Sequence, residues 1–146
     1  MRIMFLVILA ICFCAVNAAP SLSSSGGGTF SHDVTSQSEL TRLYNTPVVK
    51  IELIKRPLRG VPLIPHAGVR VTTDDGHQWL IHKGNGFGIS SQTVVVDAVH
   101  MSPEWRVTAV KTVRGRTVGD YVRVGGEAYR LFTNNCLQAA KRMFNY

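Results

Sequence analysis

Three side chains in this sequence have the types and placement for acyl chemistry: Cys136, His66 and His82. Cys136 sits in "FTNNCLQAAKRMF", behind Asn134 and Asn135, where a helix is expected to begin. A thiol at a helix N-terminus faces free N–H groups and the positive end of the macrodipole, which favour the nucleophilic thiolate. The same N–H groups could hold the oxyanion of a tetrahedral intermediate, with Asn135 as the capping and orienting residue.

A base for that thiol comes from a hairpin. "HAGVRVTT" and "HQWLIH" flank "DDG", a strand–turn–strand pattern. With the turn centred on Asp74, facing residue numbers sum to about 148. That register sets His66 directly opposite His82 and on one face with Arg70 and Gln78. Val69, Val71, Trp79 and Ile81 then point into the core. Of two adjacent imidazoles, one can take the thiol proton while the other orients it.

Blander readings apply to each residue. A lone cysteine on an apolar helix face is commonly a small buried hydrophobe. Cys136, His66 and His82 could also ligate zinc, but the short ligand spacings of the usual modules are missing, so no metal or other cofactor is expected. His32, His77 and His100 read as arm, turn and structural residues. "GNGFG" lacks the strand–loop–helix context and the Lys-Ser/Thr of a phosphate loop. No G-x-S-x-G marks a serine hydrolase.

The elements that must position these residues form an α+β pattern. Ser36 and Glu39 make a capping box for a short helix over 37–45. "TPVVKIELI" alternates as a strand with Val49, Ile51 and Leu53 inward. "KRPLRGVPLIP", with three prolines and a glycine, reads as extended or looped. The two hairpin strands follow, then a loop at "KGNGFGISS" and a strand at "QTVVVDAV". "EWRVTAVKTV" is the next strand, with Trp105, Val107, Ala109 and Lys111 on one face. Thr117 to Gly125 suits a short helix and "EAYRLF" a last strand. The closing helix packs through Ala139, Ala140 and Met143. The expected architecture is an antiparallel sheet of about five to six strands packed with a C-terminal helix that carries the cysteine.

The N-terminal residues set the expected compartment. Arg2, the apolar run from Ile3 to Val16, and small residues ending at Ala18 have the layout of a secretory signal peptide. The run is shorter than the ~20 residues of a spanning helix, and no later segment is apolar enough for a transmembrane span. The expected organisation is a signal peptide over 1–18, a flexible Ser/Gly-rich arm over 19–35 and one α+β domain over 36–146. Cleavage would remove Cys12 and Cys14 and leave Cys136 as the sole thiol, either reactive or bridged to another chain. The full chain carries +7, with 16 Lys and Arg against 9 Asp and Glu. A secreted basic protein is drawn to anionic surfaces. The scattered cations, without interleaved aromatics, argue against a specific nucleic-acid partner.

The ordered pieces "PHAGVRV", "DG", "WLIH" and "NNC" resemble the circularly permuted papain-like fold. Its representatives include NlpC-type thiol hydrolases and the lecithin:retinol acyltransferase group. The resemblance covers about residues 60–146. It implies that Cys136 is the nucleophile, His66 the general base and His82 the residue orienting it, with chemistry through a thioester. The expected function is a secreted cysteine-dependent hydrolase or acyltransferase acting on an amide or ester. The alternative is a non-catalytic secreted binding or defence protein on the same fold. A third reading is a structural extracellular protein joined by an intermolecular disulfide.

Overall fold

The computed structural model describes residues 36–58, 61–83, 93–128, 130 and 133–146. The expected signal peptide over 1–18, the expected Ser/Gly-rich arm with His32, and the expected "GNGFG" loop lie outside the described residues. Among the described residues are three helices and five strands: α1 (Gln37–Asn45), β1 (Pro47–Leu58), β2 (Val61–Thr73), β3 (Gln78–Lys83), β4 (Thr93–Asp97), β5 (Arg106–Thr117), α2 (Val118–Gly125) and α3 (Cys136–Asn145). A single 3₁₀ turn, Ala98–His100, follows β4. The sheet order is β4-β3-β2-β1-β5, with every neighbouring pair antiparallel. This is the expected α+β architecture with its closing helix. No helix among the described residues is long and apolar enough to cross a membrane.

The helices cover one face of the sheet. Val48, Ile51, Val69, Val71 and Ile81 meet Leu43, Val118, Tyr121, Ala139 and Met143 there. Burial of these side chains is the main force holding the layers together. Helix starts agree with local chemistry. Ser36 Oγ accepts the Glu39 N–H at 3.2 Å, and Thr117 and Asp120 form a reciprocal capping box for α2.

Several strand expectations change. Both β1 and β2 run through most of the Pro-containing stretch expected to be loop or extended chain, and Pro57 pairs with Pro65. The fixed φ of proline is compatible with extended backbone. A register shift at Val49 lets Val48 and Ile51 both turn inward, so Val49 is 42 % exposed instead of buried. A second shift leaves Thr108 unpaired: Val107 faces Ile54 while Ala109 faces Leu53. Val107 and Ala109 therefore lie on opposite faces, not on one. Trp105 precedes the strand altogether. "EAYRLF" does not extend the sheet in the described residues; Arg130 makes an isolated bridge with Asn134.

The hairpin register also differs. Gly68 faces His82 and Val71 faces Trp79, so facing numbers sum to 150. Gly76, at φ 86, supplies the positive-φ position of the turn, and Gly76 N–H donates to Thr73 O at 2.9 Å. His77 is drawn into the loop, and the turn centre moves from Asp74 to Asp75. A two-residue slip preserves side-chain parity. The faces are therefore as expected, but His66 is diagonal to His82 instead of opposite it.

Candidate active site

The diagonal placement brings the imidazoles together. His66 Nε2 and His82 Nδ1 lie 3.2 Å apart, with the rings edge to face at 5.2 Å between centroids. The space for this is made by Gly68. A Cβ at that position would sit 2.9 Å from His82 Cβ and 3.0 Å from Ile81 O. One nitrogen must donate and the other accept, so at least the accepting imidazole is neutral. Burial drives His66 well below 6.5, aided by His82 and Arg56. Burial pushes His82 down to about 4, with Arg56 adding to the effect. The His pair projects from the sheet face opposite the helices, together with buried Ile54 and Leu80.

Cys136 is the first residue of α3. Asn135 caps the helix: its Oδ1 accepts the Leu137 and Gln138 N–H groups at 2.9 and 3.1 Å. Gln138 Oε1 accepts the Asn135 N–H in return. Those two first-turn N–H groups are thus used by the cap. The thiol is 9 % exposed and free of any disulfide. Burial pushes its pKa up; N–H groups of Ala67, Leu137 and Cys136 itself, with the Arg56 charge, pull the other way without prevailing. The net direction is opposite to the activation expected from a helix N-terminus, because desolvation outweighs the dipole. A buried sulfur is also poorly placed for a bridge to a second chain.

The Ala67 N–H connects the parts. The sulfur reaches β2 from the helix side at the residue next to His66, while the imidazoles rise from the strand's other side. Main-chain N–H groups and Arg56 are what act on the sulfur, and neither imidazole is among them. Among the described residues, no group of three His, Cys, Asp or Glu side chains is arranged to hold a metal ion. The structure joins His66 to His82 directly, and brings Cys136 to the adjoining main chain.

A polar network fixes the helix that carries the thiol. Lys83, wholly buried, donates to Gly125 O and Gly126 O, both at 2.9 Å. Thr93 Oγ1 donates to Gly126 O, and Arg142 Nη2 to Gly125 O and Asn134 Oδ1. The last turn of α2, the end of β3 and the start of α3 are thereby held in one arrangement. Burial, with Arg142 nearby, pushes Lys83 down to about 8.

Two features were not legible as site residues. Trp105 packs on His66 at 5.4 Å between centroids, and the Arg56 guanidinium lies 5.4 Å from the centre of the same indole. Trp105 also walls an open cleft of about 550 Å³ lined by Arg70, His77, Gln78, Asp97 and Met101. His77, read as a surface turn residue, makes a 2.6 Å contact with Asp97 Oδ2. Burial alone would raise Asp97, but the Val99 N–H and His77 hold its carboxyl below the usual value. The Arg56–His66 cross-strand pairing was the available signal, and it required the β1–β2 register.

No family model matches the chain, and no curated protein or solved structure matches it.

Proposed function

We propose that this protein is a cysteine-dependent hydrolase or acyltransferase acting on an amide or ester, on a permuted papain-like fold and in an extracellular setting. The observation that carries the reading is the His66–His82 contact, at the point of β2 where Cys136 arrives from the head of its helix. His66 Nε2 faces His82, which leaves Nδ1, the nitrogen nearer its own main chain, as the base. In the working tautomer His66 Nε2–H donates to His82 Nδ1. Burial favours a neutral thiol beside neutral imidazoles, so proton transfer accompanies attack. In this reading the Cys136 Sγ–H proton goes to His66 Nδ1 as sulfur bonds to the substrate carbonyl carbon, which requires the two groups, set on opposite sides of β2, to be brought together when substrate binds. The leaving group departs with that proton, giving a thioester. Water or another acceptor then attacks the thioester and returns the proton to sulfur.

The test is acylation by p-nitrophenyl acetate, read by intact mass and peptide mapping. The expected result is one acetyl group on Cys136, absent in Cys136→Ala and slowed ~100-fold or more in His66→Ala. A second reading, a non-catalytic binding or defence protein on the same fold, is favoured by the burial of Cys136. Acylation seen only after unfolding, and indifferent to His66, would decide for that reading.

A further inference from the structure

The open cleft at the turn end of the β2–β3 hairpin has a volume of about 550 Å³, the size of a small-ligand pocket. The hairpin supplies its polar lining. Arg70 faces Leu80 across the strands, and Gln78 lies two residues from Leu80, so Arg70 and Gln78 share one side of the sheet. His77 joins them from the turn and Asp97 from the end of β4. The segment between the 3₁₀ turn and β5 adds apolar surface from Met101, Pro103 and Trp105.

The charges here are closed within the protein. Arg70 Nε donates to Glu52 Oε2 at 2.5 Å, and Lys50 lies 3.6 Å from the other oxygen of that carboxylate. His77 Nε2 meets Asp97 Oδ2 at 2.6 Å, and Asp97 Oδ1 accepts the Val99 N–H at 2.9 Å. An ionic ligand would have to compete with these pairs, whereas a neutral one would not.

Hydrogen-bonding capacity, in contrast, is left over. Only Nε of Arg70 is used, so its Nη groups remain donors. Gln78 Nε2 donates to Thr72 Oγ1 at 3.2 Å, which leaves Oε1 to accept. The His77 side chain is 45 % exposed, and its Nδ1 has no hydrogen-bond partner among the described residues. With Nε2–H directed at Asp97, Nδ1 is an acceptor. Donors, acceptors and apolar surface thus line one uncharged space. A sugar ring carries the matching pattern, because each hydroxyl both donates and accepts while the ring C–H groups pack on apolar surface.

The geometry points to this cleft as a binding site for a neutral saccharide. Its hydroxyls would accept from Arg70 Nη and donate to His77 Nδ1 and Gln78 Oε1, with its C–H groups against Met101, Pro103 and Trp105. Asp97 is a positioning residue, acting through His77. The site is independent of the acyl-transfer reading, since neither Cys136 nor the His66–His82 pair lines the cleft.

The test is a titration of the ¹⁵N-labelled protein with cellobiose, lactose and mannobiose, read at the indole N–H signals. The chain has two tryptophans, so Trp105→Phe assigns both signals. An open cleft of this size should bind with Kd of about 1–10 mM, and the titration runs to about 100 mM. At least one of the three sugars should shift the Trp105 signal saturably. His77→Ala and Gln78→Leu should each weaken that binding about 5-fold or more. Gln78→Leu leaves the His77–Asp97 contact in place, so its effect is not that of a disturbed turn. Arg114→Met, at an exposed position on β5, should change nothing. Glucuronate and glucosamine should bind no more tightly than glucose. Shifts that stay linear with all three disaccharides overturn the proposal. So does saturable binding that His77→Ala and Gln78→Leu leave intact, which would place the sugar elsewhere. Tighter binding of either charged sugar would overturn the neutral-ligand assignment.

Discussion

Acid should destabilise this protein through the buried imidazole pair, and the window can be calculated. His82 falls from 6.5 to about 4 on folding because burial disfavours its charged form. The folded value lies below the unfolded one, so the unfolded chain takes up the proton first as pH falls. Stability from this group is whole above about 6.5, drains between there and about 4, and falls no further below. Between pH 7 and pH 5, His82 alone should remove about 2 kcal/mol. His66 moves in the same direction and adds to the loss. The carboxyls held low in the folded state, Glu52, Asp75, Asp97 and Asp120, have ordinary values of 4.5 or below. Their loss begins at lower pH and leaves this window to histidine. The assay is urea unfolding at pH 7 and pH 5 for the wild type and His82→Gln. Comparing the two pH values within each protein cancels any packing cost of the substitution. The glutamine variant should lose the His82 share of the drop. A wild type that changes by less than about 0.5 kcal/mol, or a variant that keeps the full drop, would refute the claim that the pair is buried and neutral.

Gly68→Ala should cost about 1–3 kcal/mol in thermal or urea unfolding, because the new methyl would lie 2.9 Å from His82 Cβ and 3.0 Å from main-chain Ile81 O. A neutral result would mean that the β2–β3 pairing yields easily. Tyr121→Phe should be neutral or stabilising by up to about 1–2 kcal/mol, since Tyr121 Oη is buried with no hydrogen-bond partner among the described residues. A loss above about 1 kcal/mol in that variant would reveal a partner such as a buried water. Asn135→Ala should cost about 1 kcal/mol by releasing the Leu137 and Gln138 N–H groups, and an unchanged midpoint in urea would contradict the cap. Alkylation of Cys136 by iodoacetamide should have a pH midpoint above that of the unfolded thiol. A midpoint below the unfolded value would show that the helix terminus prevails over burial.

Much of the framework was legible in local sequence, because local rules govern it. Capping residues and apolar spacing located α1, α2 and α3 close to their observed bounds, and hydrophobic alternation assigned the faces of β2 and β3. Side-chain parity survived the register error because a two-residue slip keeps every residue on its own side of the sheet. What failed depended on partners distant in the chain. The bulges at Val49 and Thr108 arise from fitting β1 between β2 and β5, and no local pattern announces them. The turn centre moved because Gly76 alone in "DDG" accepts positive φ without a Cβ penalty.

The candidate site divides along the same line. By itself, the sequence determined which chemistry was available: a thiol behind a capping asparagine, and a pair of histidines, His66 and His82, on one sheet face. Tertiary structure decided how those groups behave. Packing made the imidazoles neutral and joined them diagonally, and set Trp105 and Arg56 against His66. It also sank Cys136 until desolvation outweighed the helix terminus that should have activated it. Residue type sets what a group can donate or accept, but only the surrounding packing sets how much water it keeps, and therefore which charge state it holds.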